Sequence, residues 1–251
     1  MDKVLEVEKL NRVFNKGKKT EVYALKDISF NLNAGECLGI IGESGSGKST
    51  AVRIITRLIG STSGEVRLNG RDMKDISRKE LYKEIQMVFQ TPVESFNPRI
   101  RIGKSVGESL RNLGMSKEET KKRVETLLEE CGLPKEFYDR FPHELSGGQC
   151  QRAAIARALA ISPKILVCDE ATSSLDVTVQ KEIIALLNSL REKRGGDISI
   201  IFISHDIALV QQFCDRVIVM NKGEIVEQGD TNDVITHPRE DYTKKLIASV
   251  L

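Results

Sequence analysis

The 251-residue sequence carries almost no net charge, since 38 Lys and Arg residues face 36 Asp and Glu. That balance argues against a strongly basic nucleic-acid-binding domain, and no nucleic acid is expected as a partner. There is no run of about 18 apolar residues of the kind that spans a bilayer. The start, Met1-Asp2-Lys3-Val4-Leu5-Glu6, is charged where a signal peptide would be apolar. The expectation is a chain that neither crosses a membrane nor is exported. The five cysteines (Cys37, Cys131, Cys150, Cys168 and Cys214) are scattered, odd in number and without a C-x-x-C pair. They argue against a disulfide framework or structural zinc site and for small packing residues in a reducing cytoplasm. No Pro-, Ser- or Gly-rich linker, internal repeat or low-complexity tract divides the chain, so one domain with a subdomain inside it is expected.

What the sequence does have is enough apolar material for a sizeable core, with 40% hydrophobic and 29% charged residues. Strand-like patterns open it, at Val4, Leu5 and Val7, and then at Leu25, Ile28 and Phe30 before a turn at Ala34-Gly35. Cys37-Leu-Gly-Ile-Ile41 reads as a strand buried on both faces. After the glycine-rich Gly42–Thr50, apolar Ala51, Ile54, Ile55 and Leu58 recur at helical spacing. A β-like stretch ends near Phe89, and residues 100–160 read as almost wholly helical. One helix there is punctuated by Ser116 as cap, Glu119 as its capping-box partner and Gly132 as terminator. Strand patterns return at Ile165–Cys168 and Ile198–Ile203, with a helical segment from Val179 to Leu190 between them. Strands alternating with helices predict an α/β fold with a mostly parallel sheet. Val217–Met220 and Glu224–Glu227 flank Asn221-Lys-Gly223 and predict a hairpin. That Asn-Lys-Gly-Glu string is close to the Asn-Lys-x-Asp guanine reader of GTPases, but Glu stands in place of Asp and the flanks suit a turn.

The chemistry centres on Gly42-Glu43-Ser44-Gly45-Ser46-Gly47-Lys48-Ser49, which fits G-x-x-x-x-G-K-S/T without mismatch and runs into Thr50. Glycines let the backbone wrap an anion and aim successive N–H groups at it. Lys48 then reaches the β- and γ-phosphates and the Ser49 hydroxyl ligates Mg²⁺, so a nucleoside triphosphate is the implied ligand. Asp169 and Glu170 stand at the carboxyl end of a buried strand, the edge at which doubly wound sheets bind ligands. Asp169 is placed to hold the metal's hydration shell and Glu170 to orient or deprotonate an attacking water. His205 follows another buried strand, where it reads by itself either as a structural histidine or as a hydrogen-bond partner of the γ-phosphate. Leu145-Ser146-Gly147-Gly148-Gln149 leads into a strongly helix-forming segment. It reads either as a helix cap or as a second anion site, which a one-nucleotide enzyme does not need.

That Leu-Ser-Gly-Gly-Gln string matches the signature of ABC ATPases, in the family's order between the P-loop and the Asp169-Glu170 strand. Together with Gln90, Ser173-Ser-Leu-Asp176 and His205, the chain resembles the nucleotide-binding subunit of an ABC transporter. The resemblance implies ATP and Mg²⁺ as cofactors, Phe14 stacking on adenine, and Gln90 linking Mg²⁺ and water to the membrane partner. It also implies Asp176 at a dimer interface. Its fold would be a RecA-like P-loop NTPase core with an antiparallel β subdomain (1–90 and 161–228), a helical subdomain (91–160) and a C-terminal tail helix (229–251). Two such domains would pack head to tail, with Ser146, Gly147 and Gly148 of one closing on the phosphate held by Lys48 of the other. Hydrolysis would reopen the dimer and drive a separate transmembrane permease at the cytoplasmic face of the membrane. A second ABC ATPase, either a copy or a homologue, and an extracytoplasmic solute-binding protein would complete the complex.

Finer likeness lies in Ile85–Arg99, with Asn97-Pro-Arg99 after the Gln90 segment, and in His237–Leu246, with its Tyr242-Thr243 pair. Both are similar to the peptide and nickel import branch. Cys150 stands where that family usually has Gln, Arg or Leu, a change expected to be harmless to phosphate binding. The sequence ends at Leu251 without the cysteine-bearing extension of many peptide-importer subunits, which tilts the expectation slightly toward the nickel or metallophore type within a solute range of peptide or nickel/metallophore. Soluble ABC ATPases of DNA maintenance or translation are the rival reading, but they carry a long coiled-coil insertion or two cassettes. Lys48 and Ser146 are too close for the first and the chain has one cassette. A P-loop kinase would leave the signature without a role.

Overall fold

The structure is a computed structural model that describes residues 2–171, 175–193, 195 and 197–249. Strands β1 (Lys3–Phe14) and β2 (Val22–Asn33) pair antiparallel, the pattern expected from their alternating burial. The short strand β3 (Cys37–Ile41) is buried at every position and delivers the chain to the glycine loop, which opens helix α1 (Lys48–Ile55). The strands β4 (Ser63–Leu68) and β5 (Arg71–Asp72) complete a four-stranded antiparallel sheet in the order β2-β1-β4-β5. Helix α2 (Arg78–Glu84), capped by Ser77, leads to β6 (Ile85–Val88).

A helical region follows: α3 (Ile102–Val106), α4 (Glu108–Asn112), α5 (Lys117–Glu130) and α6 (Gly147–Leu159). Helix α5 has the predicted punctuation, with a Ser116–Glu119 capping box and Gly132 at φ +72° just beyond its end. The chain then lays down β7 (Ile165–Asp169), α7 (Val177–Lys193), β8 (Ser199–Ile203), α8 (Ile207–Phe213), β9 (Arg216–Asn221) and β10 (Glu224–Asp230). Helices α9 (Thr231–Thr236) and α10 (Asp241–Ala248) come last.

The second sheet has the order β10-β9-β3-β8-β7-β6, parallel throughout except for the β9–β10 hairpin. Its alternate residues divide between two cores. Cys37, Ile41, Leu166, Cys168, Ile200, Phe202, Val217 and Val219 face the cluster that includes α5, α6 and α7. Leu38, Ile40, Ile165, Val167, Ile201, Ile203, Ile218 and Met220 face the cluster shared with α1, α2 and the antiparallel sheet. Burial on both faces is why these strands read as unbroken apolar runs. Residues 217–230 form the predicted hairpin, with Lys222 at φ +46° and Gly223 at φ +86°, the pair of left-handed conformations a two-residue turn requires.

Two expectations are corrected. Leu58 lies beyond α1, which ends at its C-cap Thr56, and it is exposed rather than on the buried face. The tail is two helices rather than one, because Pro238 follows His237, the C-cap of α9. All five cysteines are buried, and burial pushes the Cys168 thiol up to about 12, which suits packing rather than reactivity.

Candidate nucleotide site

The parallel pairing of β3 with β8 and β9, and of β8 with β7, brings the carboxyl ends of these strands together. The P-loop leaves β3 at that edge. Gly42, at φ +146°, passes so close to β9 that a Cβ there would stand 2.2 Å from the Met220 carbonyl oxygen. At Gly47, at φ +106°, a Cβ would meet the Ala24 carbonyl oxygen at 2.6 Å. Only glycine fits either place. The loop is pinned from outside as well, since Gly223 N–H of the β9–β10 turn donates to the Ser46 carbonyl at 3.0 Å.

The loop leaves a cavity of about 490 Å³ lined by residues 44–50, by Val22, Tyr23, Ala24 and Lys26 of β2, and by Gln90, Glu170 and Lys222. Lys48 is buried and its Nζ donates to the carbonyls of Gly42 (2.7 Å) and Glu43 (2.9 Å). Burial lowers its pKa, opposed by the nearby carboxylates of Glu170 and Asp169. The Ser49 hydroxyl donates to Asp169 Oδ1 at 2.9 Å, although the two lie 120 positions apart. Burial raises the Asp169 pKa, against the stabilising effects of the Ser49 hydrogen bond and of Arg53 and Lys48. Gln90 Nε2 donates to Glu170 Oε2 at 2.8 Å. Glu170 holds φ at +48°, uncommon for a residue with a side chain, and its N–H is tied to the Ile203 carbonyl at 3.1 Å.

The structure thus brings Lys48, Ser49, Asp169, Gln90 and Glu170 to one edge, with Glu43, Ser44, Gly45, Ser46 and Thr50 in the loop or at the first turn of α1. It does not bring the other expected residues into the cavity. Phe14 pairs with Val22, which lines it, while the Phe14 ring itself lies under the Arg12 guanidinium, 4.5 Å from the ring centroid. His205 is exposed and outside the lining, because the chain turns away after β8: Ser204 Oγ accepts the Asp206 N–H and Asp206 caps α8. Ser146 and Gly147 are exposed and, with Gly148 and Gln149, stand apart from that lining. They realise the helix-cap reading, with Ser146 and Gln149 closing a capping box on α6. Asp176 caps the start of α7 by accepting the Val179 N–H at 3.0 Å. Ser173 and Ser174 lie outside the described residues. Sequence reading missed the lining residues Tyr23 and Lys222, which reach the loop only because β2 and the β9–β10 turn pack against it.

Strand, glycine loop and helix with a buried lysine, and a hydroxyl–carboxylate pair joining α1 to the end of β7, two strands from β3 in the sheet, define a P-loop nucleoside triphosphatase. Comparison with known proteins gives the finer assignment. The family model "ABC transporter" matches residues 25–173. The chain is 44% identical to the oligopeptide transport ATP-binding protein OppF of Haemophilus influenzae over 90% of this chain and 69% of that one. It is 40% identical to OppF of Streptococcus mutans over 99% of this chain and 82% of that protein. The glutathione import ATP-binding protein GsiA of Salmonella typhi is 47% identical over 92% of this chain, which spans only 37% of GsiA. Among solved structures, a dimeric ATP-binding cassette, MJ0796, in a post-hydrolysis state with ADP and Pi superposes with a TM-score of 0.80 at 34% identity, covering 90% of this chain and 98% of that one. The chain belongs to the ABC transporter family, and it is an ATPase of the importer type to which these relatives belong. Among the described residues no helix is long and apolar enough to cross a membrane. The import ATP-binding relatives imply transmembrane permease partners and pairing of ATPase subunits.

Proposed function

We propose that this chain is the ATP-driven motor subunit of an importer for peptide-type solutes, attached to the inner face of the membrane through its permease. The observation that carries the reading is the convergence of Lys48, the Ser49–Asp169 pair and the Gln90–Glu170 pair on one cavity edge. Hard oxygen donors at Ser49 and Asp169, with the Gln90 amide beside Glu170, suit Mg²⁺. Bound there, Mg²⁺ would neutralise charge on the phosphate oxygens.

The chain's own residues do the rest. Glycine-loop N–H groups and Lys48 bind the phosphates, Lys48 exchanging its two carbonyl partners for phosphate oxygens. Glu170, held by Gln90 and by its strained backbone, accepts a proton from a water as that water's oxygen bonds to the γ-phosphorus. The bond from the γ-phosphorus to the ADP oxygen breaks, giving ADP and phosphate. Ser146, Gly147 and Gly148 serve a second ATPase subunit, a copy or a homologue, by closing over its phosphate, with Asp176 at the junction. Phe14, with Arg12 over its ring, stacks on adenine, and His205 approaches the γ-phosphate on closure. The oligopeptide and glutathione relatives favour a peptide over a nickel-type solute, with an extracytoplasmic solute-binding protein delivering it.

Glu170→Gln tests this. Turnover should fall by on the order of a hundredfold or more, while ATP affinity measured by titration stays at the wild-type level. A variant that hydrolyses ATP as fast as the wild type would remove Glu170 from the mechanism.

A further inference from the structure

The Tyr242-Thr243 pair near the chain's end has no part in the chemistry above, yet it reaches the P-loop. The Glu43 N–H donates to the Tyr242 hydroxyl at 3.3 Å across 199 positions. That N–H belongs to the Gly42–Glu43 peptide group, whose carbonyl end, Gly42 O, accepts Lys48 Nζ at 2.7 Å. One peptide group is therefore held at both ends, by the lysine on one side and the C-terminal helix on the other. Donor and acceptor bonds on the same amide polarise each other. Gly42 is the residue at which such a peptide turns most easily, since it has no side chain to restrict rotation.

Helix α10 is itself firmly seated. Thr243 is fully buried, Ile247 is buried, and Tyr242 and Leu246 pack against the larger core. No side chain caps its start, and Glu227 of β10 instead ties down the two residues before it, taking the Arg239 N–H at 2.9 Å and the Glu240 N–H at 3.2 Å.

We propose that Tyr242 is a positioning residue for the nucleotide site: its hydroxyl fixes the Gly42–Glu43 peptide and makes the C-terminal helix part of the nucleotide-binding unit. The proposal rests on the P-loop being the ATP site. When the phosphates take Lys48, the Gly42 carbonyl loses its ammonium partner and the Tyr242 bond is left to keep that peptide from turning. The loop's N–H groups then stay aimed at the anion.

The test is Tyr242→Phe in the full chain, which keeps the ring's packing and removes only the oxygen. ATP affinity by titration, KM and kcat for hydrolysis, and melting temperature without nucleotide are measured beside the wild type and Lys48→Ala. The Kd and KM for ATP should rise about two- to tenfold, the range carried by one neutral hydrogen bond, with kcat moving less and melting within about 2 °C of the wild type. Glu227→Gln, which weakens the seat of α10, should shift Kd the same way by less. Unchanged or tighter ATP binding by Tyr242→Phe overturns the proposal, as does a loss of affinity matched by a large loss of melting temperature. If Lys48→Ala binds ATP as the wild type does, the P-loop assignment has failed instead.

Discussion

Helices α1 and α6 both begin at glycine-containing segments, and the protein finishes their N-termini in opposite ways. Helix α1 has Gly47 as its N-cap, no side chain closing the end and no acidic residue in the first turn. Helix α6 has Ser146 as its N-cap, whose hydroxyl accepts the Gln149 N–H at 3.3 Å while Gln149 Oε1 accepts the Ser146 N–H at 2.9 Å. A capping residue of this kind stabilises a helix by about 1 kcal/mol. The open end keeps its N–H groups and positive dipole for an anion, and a neighbouring lysine completes the site. The self-capped end is stable without a ligand and stays exposed, so it can be offered to another molecule. On this account α1 binds ATP within the chain and α6 touches ATP only across an interface.

The comparison is sharpened first at Lys48, where the largest effect is expected. Lys48→Ala should weaken ATP binding by at least about 100-fold, because charge-assisted contacts of roughly 1.5–3 kcal/mol each to two phosphates are lost. Calorimetric titration reads this directly, and tight binding by the variant would show that the open end does not need its cation. A smaller effect is expected at Phe14. Phe14→Ala should cost on the order of 1 kcal/mol of ATP affinity through lost adenine stacking, with less loss for free triphosphate, which has no base to stack.

The smallest effect separates the two ends by stability. Asp169 has a native pKa raised above its ordinary 3.8, chiefly by burial. The native state then holds this proton more tightly than the unfolded chain, so stability falls as pH rises from the ordinary value through the native one. Asp169→Asn keeps an acceptor for the Ser49 hydroxyl and removes that slope. The variant should melt above the wild type at neutral pH, and the gap should close below pH 3.8; thermal melts across pH check it. A melting point below the wild type at neutral pH would mean that the buried carboxylate stabilises the fold.

Local chemistry was legible in the sequence. The P-loop, the α5 capping box and the runs that became β3, β7 and β8 each depend on residues within a short window, where spacing carries the information. What was hidden depends on which distant strands become neighbours. Tyr23 and Lys222 line the cavity because β2 and the β9–β10 turn abut the loop. Tyr242 reaches Glu43 because Glu227 seats α10. Leu58 shows the converse failure, since its helical spacing continues past the residue at which α1 stops. The signature was readable as both cap and anion site. The single chain displays the cap, and the proposed second role would need a second subunit.

Ser146→Arg probes that division most directly. Titrated with ATP, the variant should bind with nearly wild-type affinity while its hydrolysis is lost, since the arginine obstructs only the surface offered to another subunit. Loss of ATP binding in the monomeric variant would mean that the signature serves its own P-loop, and the division of labour between the two helix ends would be wrong.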